Sequence, residues 1–211
     1  MKESNTTDIS VSRLRPDVKV VVLDLDGTLY DKHGLARRLV WGDLLELSFI
    51  VRERRARKEM RGQWYGNSEM FNKTFFANMV KGSPWTSSFI RWWYHTCYMP
   101  MMVRIIRKRY HPRGWVIDFV SACRQMGVGV VVLSDYSHTE EKLQALGLDV
   151  QLFDWVVSAP ELGGLKPAKE LMVAVAEKMS VAPSQCVVIG DREDTDGAMA
   201  RAVGAEFWLV K

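Results

Sequence analysis

Two aspartates one residue apart, Asp24 and Asp26, end an apolar run in the stretch KVVVLDLDGTLYD, residues 19–31. Like charges so close repel, so either the strand simply ends in an acidic turn or the two form a catalytic carboxylate pair that needs a cation beside it. Side chains in an extended strand alternate faces, so residues 24 and 26 can face one site as the chain turns at Gly27-Thr28. Three further segments end in groups that can do chemistry. VGVVVLSD ends in Ser134 and Asp135, and QCVVIGD ends in Asp191 with Asp194 and Asp196 just beyond. A short strand ending near Ala159 leads into GGLKP, which presents Lys166. Ligands of open α/β sheets bind outside the carboxyl ends of the strands, so one rim would gather carboxylates, a hydroxyl and an ammonium group. Oxygen donors of this kind suit Mg²⁺.

The elements that must position these groups follow from the pattern. Val18 to Leu25 is apolar and β-branched, a strand buried on both faces. From residue 113 onward helices alternate with strands: WVIDFVSACRQMG, VGVVVLSD, TEEKLQALGL, VQLFDWVVSA, KELMVAVAEKMS, QCVVIGD, DGAMARAVG and AEFWLV. This predicts a Rossmann-like α/β three-layer sandwich around a parallel sheet. Between the first strand and that series the chain reads as helical, starting with GLARRLVWGDLLELSFIVRERRARKEM. It is therefore expected as a helical cap inserted after the first strand. The division predicted is a loosely ordered lead-in at 1–17, a core at 18–32 and 113–211, and a cap at 33–112.

Charge sets the cap apart. Residues 33–112 hold 15 Lys/Arg against 5 Asp/Glu, a local +10, which leaves 14 against 20 for the rest. The cap also holds five of the eight tryptophans and six of the eleven methionines. A basic segment favours anionic partners. Cys97, Cys123 and Cys186 form no CxxC pair and read as reduced thiols of a cytoplasmic protein, with Cys186 in the core. No apolar leader is visible, and no apolar run reaches the roughly 18 residues a membrane span needs. His33, His95, His111 and His138 show no metal spacing and read as surface or structural positions, and Asp135 and Asp194 as helix caps or loop residues.

DLDGTLYD, VVVLSD, GGLKP and VVIGDREDTDGA resemble, in order and spacing, the four motifs of the haloacid dehalogenase superfamily of phosphotransferases. The resemblance covers residues 18–31 and roughly 113–210, and KPAKE departs from the pattern only in lacking a further proline after KP. It implies roles residue by residue. Asp24 matches the nucleophile that becomes an aspartyl-phosphate, and Asp26 the general acid/base. Ser134 matches the hydroxyl that binds a phosphoryl oxygen, and Lys166 the cation that neutralises phosphate and nucleophile. Asp191 matches the Mg²⁺ ligand, with Asp24 and the backbone carbonyl of Asp26, while Asp196 supports the metal shell. Asp26 argues for phosphate over carbon–halogen chemistry, because the dehalogenases of the family do without that second acid.

The expected function is hydrolysis of a small phosphate monoester by a phosphatase. The alternatives are a phosphomutase of the same superfamily, or a binding module that works through the cap. For RWWYHTCYMPMMVRIIRKRYHPR three uses stay open: an internally packed lid, a pocket for a bulky anionic substrate, and a surface for anionic membranes. Only charge speaks for nucleic acid. Trp64, Tyr65 and Asn67 are the cap candidates for substrate contact.

Overall fold

The computed structural model describes residues 9–35, 39 and 44–211, so part of the helix expected after residue 34 lies outside the described residues. Five parallel strands form one sheet in the order β3-β2-β1-β4-β5. They are β1 (Val20–Leu23), β2 (Gly129–Ser134), β3 (Trp155–Ser158), β4 (Cys186–Gly190) and β5 (Glu206–Leu209). β1 is the centre, paired to β2 on one side and β4 on the other. The order reverses there, so the crevice beyond its carboxyl end is where a doubly wound sheet binds ligand.

The run of valines in β1 is needed because both faces are covered. Val21 and Leu23 pack with Val130, Val132, Val187 and Ile189 in one core. Val20 and Val22 pack with Val131, Leu133 and Val188 in a second core on the other face. The strand period of two thus feeds two layers of helices. The first core takes Val116, Phe119 and Val120 of α5 (Trp115–Gln125), and the second Leu171, Met172 and Val175 of α8 (Lys169–Lys178). Each such aliphatic side chain contributes about 1.5–3 kcal/mol relative to exposure.

Among the described residues, four helices of seven to seventeen residues stand between β1 and α5: α1 (Leu44–Met60), α2 (Ser68–Val80), α3 (Ser87–Trp93) and α4 (Met99–Arg109). Asn67 and Thr86 start α2 and α3 by accepting the amide hydrogens of Met70 and Phe89 at 2.9 and 3.2 Å. A π-helical turn, Tyr94–Tyr98, joins α3 to α4. α1 buries Phe49, Ile50, Glu53, Ala56 and Met60. They form a stripe of helical period against α2, where Phe71, Phe75, Phe76 and Met79 are buried. Trp93, Tyr94, Tyr98, Met99 and Met102 are buried in the same core, so most of the aromatic and methionine content packs inward. Trp92 stays 53% exposed.

One expectation changes. The first strand is Val20–Leu23, shorter than 18–25, although the Asp24 amide still donates to the Ile189 carbonyl at 2.9 Å as the chain enters the site loop. Residues 9–17 make specific contacts with the core. Ile9 is buried, Arg13 lies 4.4 Å over the Trp208 ring, and Arg15 donates to the Ser184 carbonyl at 2.9 Å. Three short helices complete the chain: α6 (Thr139–Ala145), α7 (Ala159–Leu162) and α9 (Ala198–Arg201). No described helix is long and apolar enough to cross a membrane.

Candidate active site

The carboxyl ends of β1, β2 and β4 deliver Asp24, Ser134 and Asp191 to one crevice, and the loop after α7 adds Lys166. Lys166 Nζ donates to Asp24 Oδ1 at 2.8 Å and to Asp196 Oδ1 at 2.7 Å. All three side chains are nearly closed to solvent. Thr28 Oγ1 donates to the other Asp24 oxygen at 2.8 Å. Burial pushes the Asp24 carboxyl above the usual carboxylate range, and the Lys166 ammonium opposes that push. Burial alone would lower Lys166. The Asp196 and Asp24 carboxylates outweigh it and hold the ammonium charged.

Asp196 can approach because β4 ends in Gly190. A Cβ there would lie 2.6 Å from an Asp196 carboxylate oxygen. Gly27 serves similarly below Asp26. Its φ is +107°, and an added Cβ would crowd the Asp191 carboxylate and Lys32.

Asp26 has its own set of partners. Tyr30 donates to Oδ1 at 2.6 Å, and Lys142 Nζ and Ser134 Oγ donate to Oδ2 at 2.8 and 3.2 Å. Burial raises this carboxyl, but Lys142 and Tyr30 outweigh burial and hold it below the usual range. Ser134 is oriented in turn by the Tyr136 amide, which donates to its Oγ at 3.1 Å.

Lys142 and Lys32 were missed by the motif reading. Lys142 is fully buried on α6, where Thr139, Lys142, Leu143 and Leu146 share one face, and that helical spacing is the signal that could have found it. Lys32 Nζ lies 2.7 Å from the Asp26 carbonyl oxygen and 2.6 Å from Asp191 Oδ2. It touches two of the three groups expected to hold a metal, and no periodicity marks it.

Among the described residues, one group has carboxylates close enough to share an ion: Asp24, Asp191 and Asp196, with ligand atoms within 4.8 Å of one another. None of the four histidines belongs to it. Asp135 is not a cap. Its Oδ1 accepts the Lys166 amide at 3.0 Å and so fixes the lysine loop. Asp194 bridges Arg61 of the cap and Arg192 of the core.

The site opens into a cavity of about 370 Å³ with Asp24, Asp26, Lys166 and Asp191 on its floor. Arg54, Tyr98 and Met102 reach it from the cap, and Leu35 from the helical residues before α1. Trp64, Tyr65 and Asn67 do not line it. Tyr65 instead donates its amide to the Gly163 carbonyl at 2.7 Å, and Trp64 bridges Gly164. Backbone pairing there fixes the cap to the loop that carries Lys166.

The chain matches the haloacid dehalogenase-like hydrolases over residues 18–204, nearly its whole length. It belongs to that family. Among curated relatives of this hydrolase, a glyceraldehyde 3-phosphate phosphatase of Methanopyrus kandleri is 26% identical over 89% of this chain and 81% of its own. The Arabidopsis thaliana protein Suppressor of Quenching 1, chloroplastic, is 38% identical over 36% of this chain, a match that spans only 7% of that protein. The solved structure of CbbY from Rhodobacter sphaeroides in complex with phosphate superposes with a TM-score of 0.62 at 17% identity, over 90% of this chain and 84% of that one. It shares the fold.

Proposed function

We propose that this hydrolase is a Mg²⁺-dependent phosphatase that cleaves a small phosphate monoester through an aspartyl-phosphate on Asp24. The observation that carries the reading is the placement of Asp24 on the cavity floor with Lys166 at 2.8 Å and Asp26 two residues on. The relative from Methanopyrus kandleri, a phosphatase by name, supports the choice of a phosphate ester.

Asp24 attacks phosphorus, and the bond from phosphorus to the leaving oxygen breaks as Asp26 delivers a proton to that oxygen. In the second half, Asp26 takes a proton from water, the water oxygen attacks the phosphoryl group, and Asp24 is released as carboxylate. Lys142 and Tyr30 favour the ionised form of Asp26, which suits this second half, so the proton that Asp26 delivers in the first half must be taken up against their pull. Lys166 neutralises charge on the nucleophile, and Ser134 is the hydroxyl for a phosphoryl oxygen. Charge stabilisation of this kind is the largest source of rate in phosphoryl transfer.

Three converging carboxylates and a backbone carbonyl form a hard-oxygen donor set that fits Mg²⁺. Asp24, Asp191 and the Asp26 carbonyl would hold the ion, with Asp196 supporting them, and when bound it would offset charge on the phosphoryl oxygens. The test is release of p-nitrophenolate from p-nitrophenyl phosphate with MgCl₂ or with EDTA, beside Asp24→Asn. Turnover that needs Mg²⁺ and vanishes in the variant is expected. Equal rates for variant and native protein would sink the reading.

A further inference from the structure

Arg54, Arg57 and Lys58 fall at i, i+3 and i+4 on one face of α1, and Arg61 follows directly after the helix ends at Met60. That face lines a second cavity, of about 330 Å³. Arg54, Asp135, Tyr136, Lys166, Arg192 and Thr195 line both cavities, so the second continues from the catalytic one.

The cations around it differ in whether their charge is already used. Arg57 is bound to Glu53, donates to the Asp135 carbonyl at 2.7 Å and to the Tyr94 hydroxyl at 3.0 Å. Arg61 and Arg192 converge on Asp194. Lys166 is held between Asp24 and Asp196. Arg54 and Lys58 have no ion pair or hydrogen bond among the described residues. They are like charges at i, i+4, an arrangement that weakens a helix unless an anion sits between them. Arg54 lines both cavities, and Leu35 and Met102 line the catalytic one with it.

We propose that Arg54 and Lys58 form a second anion subsite. The substrate is then a small molecule that carries, besides the phosphate to be cleaved, a second anionic group, either phosphate or carboxylate. The inference rests on the phosphatase reading above. A guanidinium presents paired donors that match both oxyanions.

The experiment compares matched substrates on the native chain and on the Arg54→Gln/Lys58→Gln double variant. One pair is propane-1,3-diol bisphosphate against its monophosphate. The other is 3-phosphoglycerate against glycerol 3-phosphate, which differ at a carboxylate. The native chain is expected to favour the doubly anionic member of at least one pair by about tenfold or more in kcat/KM, mostly through KM, with the preference shrinking as salt rises. The pair that shows it identifies the group. In the double variant the ratio should fall to within about threefold of one, as expected once the charged contacts are gone. A ratio near one for both pairs in the native chain overturns the proposal, and so does a ratio that survives the double substitution. Absence of turnover on all four compounds and on p-nitrophenyl phosphate overturns the phosphatase reading, and this inference with it.

Discussion

The Lys32 ammonium joins Asp191 Oδ2 at 2.6 Å to the Asp26 carbonyl at 2.7 Å. An ammonium and a divalent ion cannot share those oxygens, so Lys32 must withdraw for metal to bind. Its side chain is 41% exposed, so the contact is a modest one that water screens. Lys32→Met should bind Mg²⁺ about two- to fivefold more tightly, the scale of such a pair. Isothermal titration reads this without reference to activity. Unchanged or weaker affinity would show that Lys32 does not compete.

Lys142 has no exposure at all, yet its one ion pair among the described residues is with Asp26. Lys142→Met removes one partner of a buried pair, a loss of about 3–5 kcal/mol in stability by analogy with such pairs. Urea unfolding measures it. If Lys142 positions the proton carrier, kcat should fall by about 10²-fold with KM changed little, and Lys142→Arg should recover part of it. An unchanged kcat in a folded variant would remove Lys142 from the reaction.

Arg57 ties three elements together. It pairs with fully buried Glu53, donates to Tyr94, and stacks 4.1 Å over the Tyr136 ring beyond β2. Arg57→Leu leaves the Glu53 charge buried alone, and the expected destabilisation is about 3–5 kcal/mol by urea unfolding. Replacing both residues by leucine should recover most of that loss. A double variant as unstable as the single one would mean that Arg57 acts through packing rather than charge.

The core of the site was legible because its residues follow apolar runs, and strand ends in a parallel sheet point to one rim. Asp24, Ser134 and Asp191 gather there from segments far apart in the sequence. The six motif positions come together, although their partners include groups that no motif named. Lys142 drew no reading, because charge masks a buried helical position. Trp64, Tyr65 and Asn67 were misplaced because backbone pairing to residues 163–165 is non-local and leaves no mark in spacing. The π-helical turn, which sets Tyr94 beside Arg57, also departs from the 3.6-residue period that reveals helices.

The central claim is that Asp24 carries the phosphoryl group. Acid quench of the native protein during turnover of a phosphorylated aryl ester, followed by peptide mass spectrometry, tests it directly. The account predicts a hydroxylamine-sensitive phosphoryl adduct on the peptide bearing Asp24, stronger in Asp26→Asn, where water attack lacks its base. An adduct on another residue, or product release with no adduct in either protein, would contradict it.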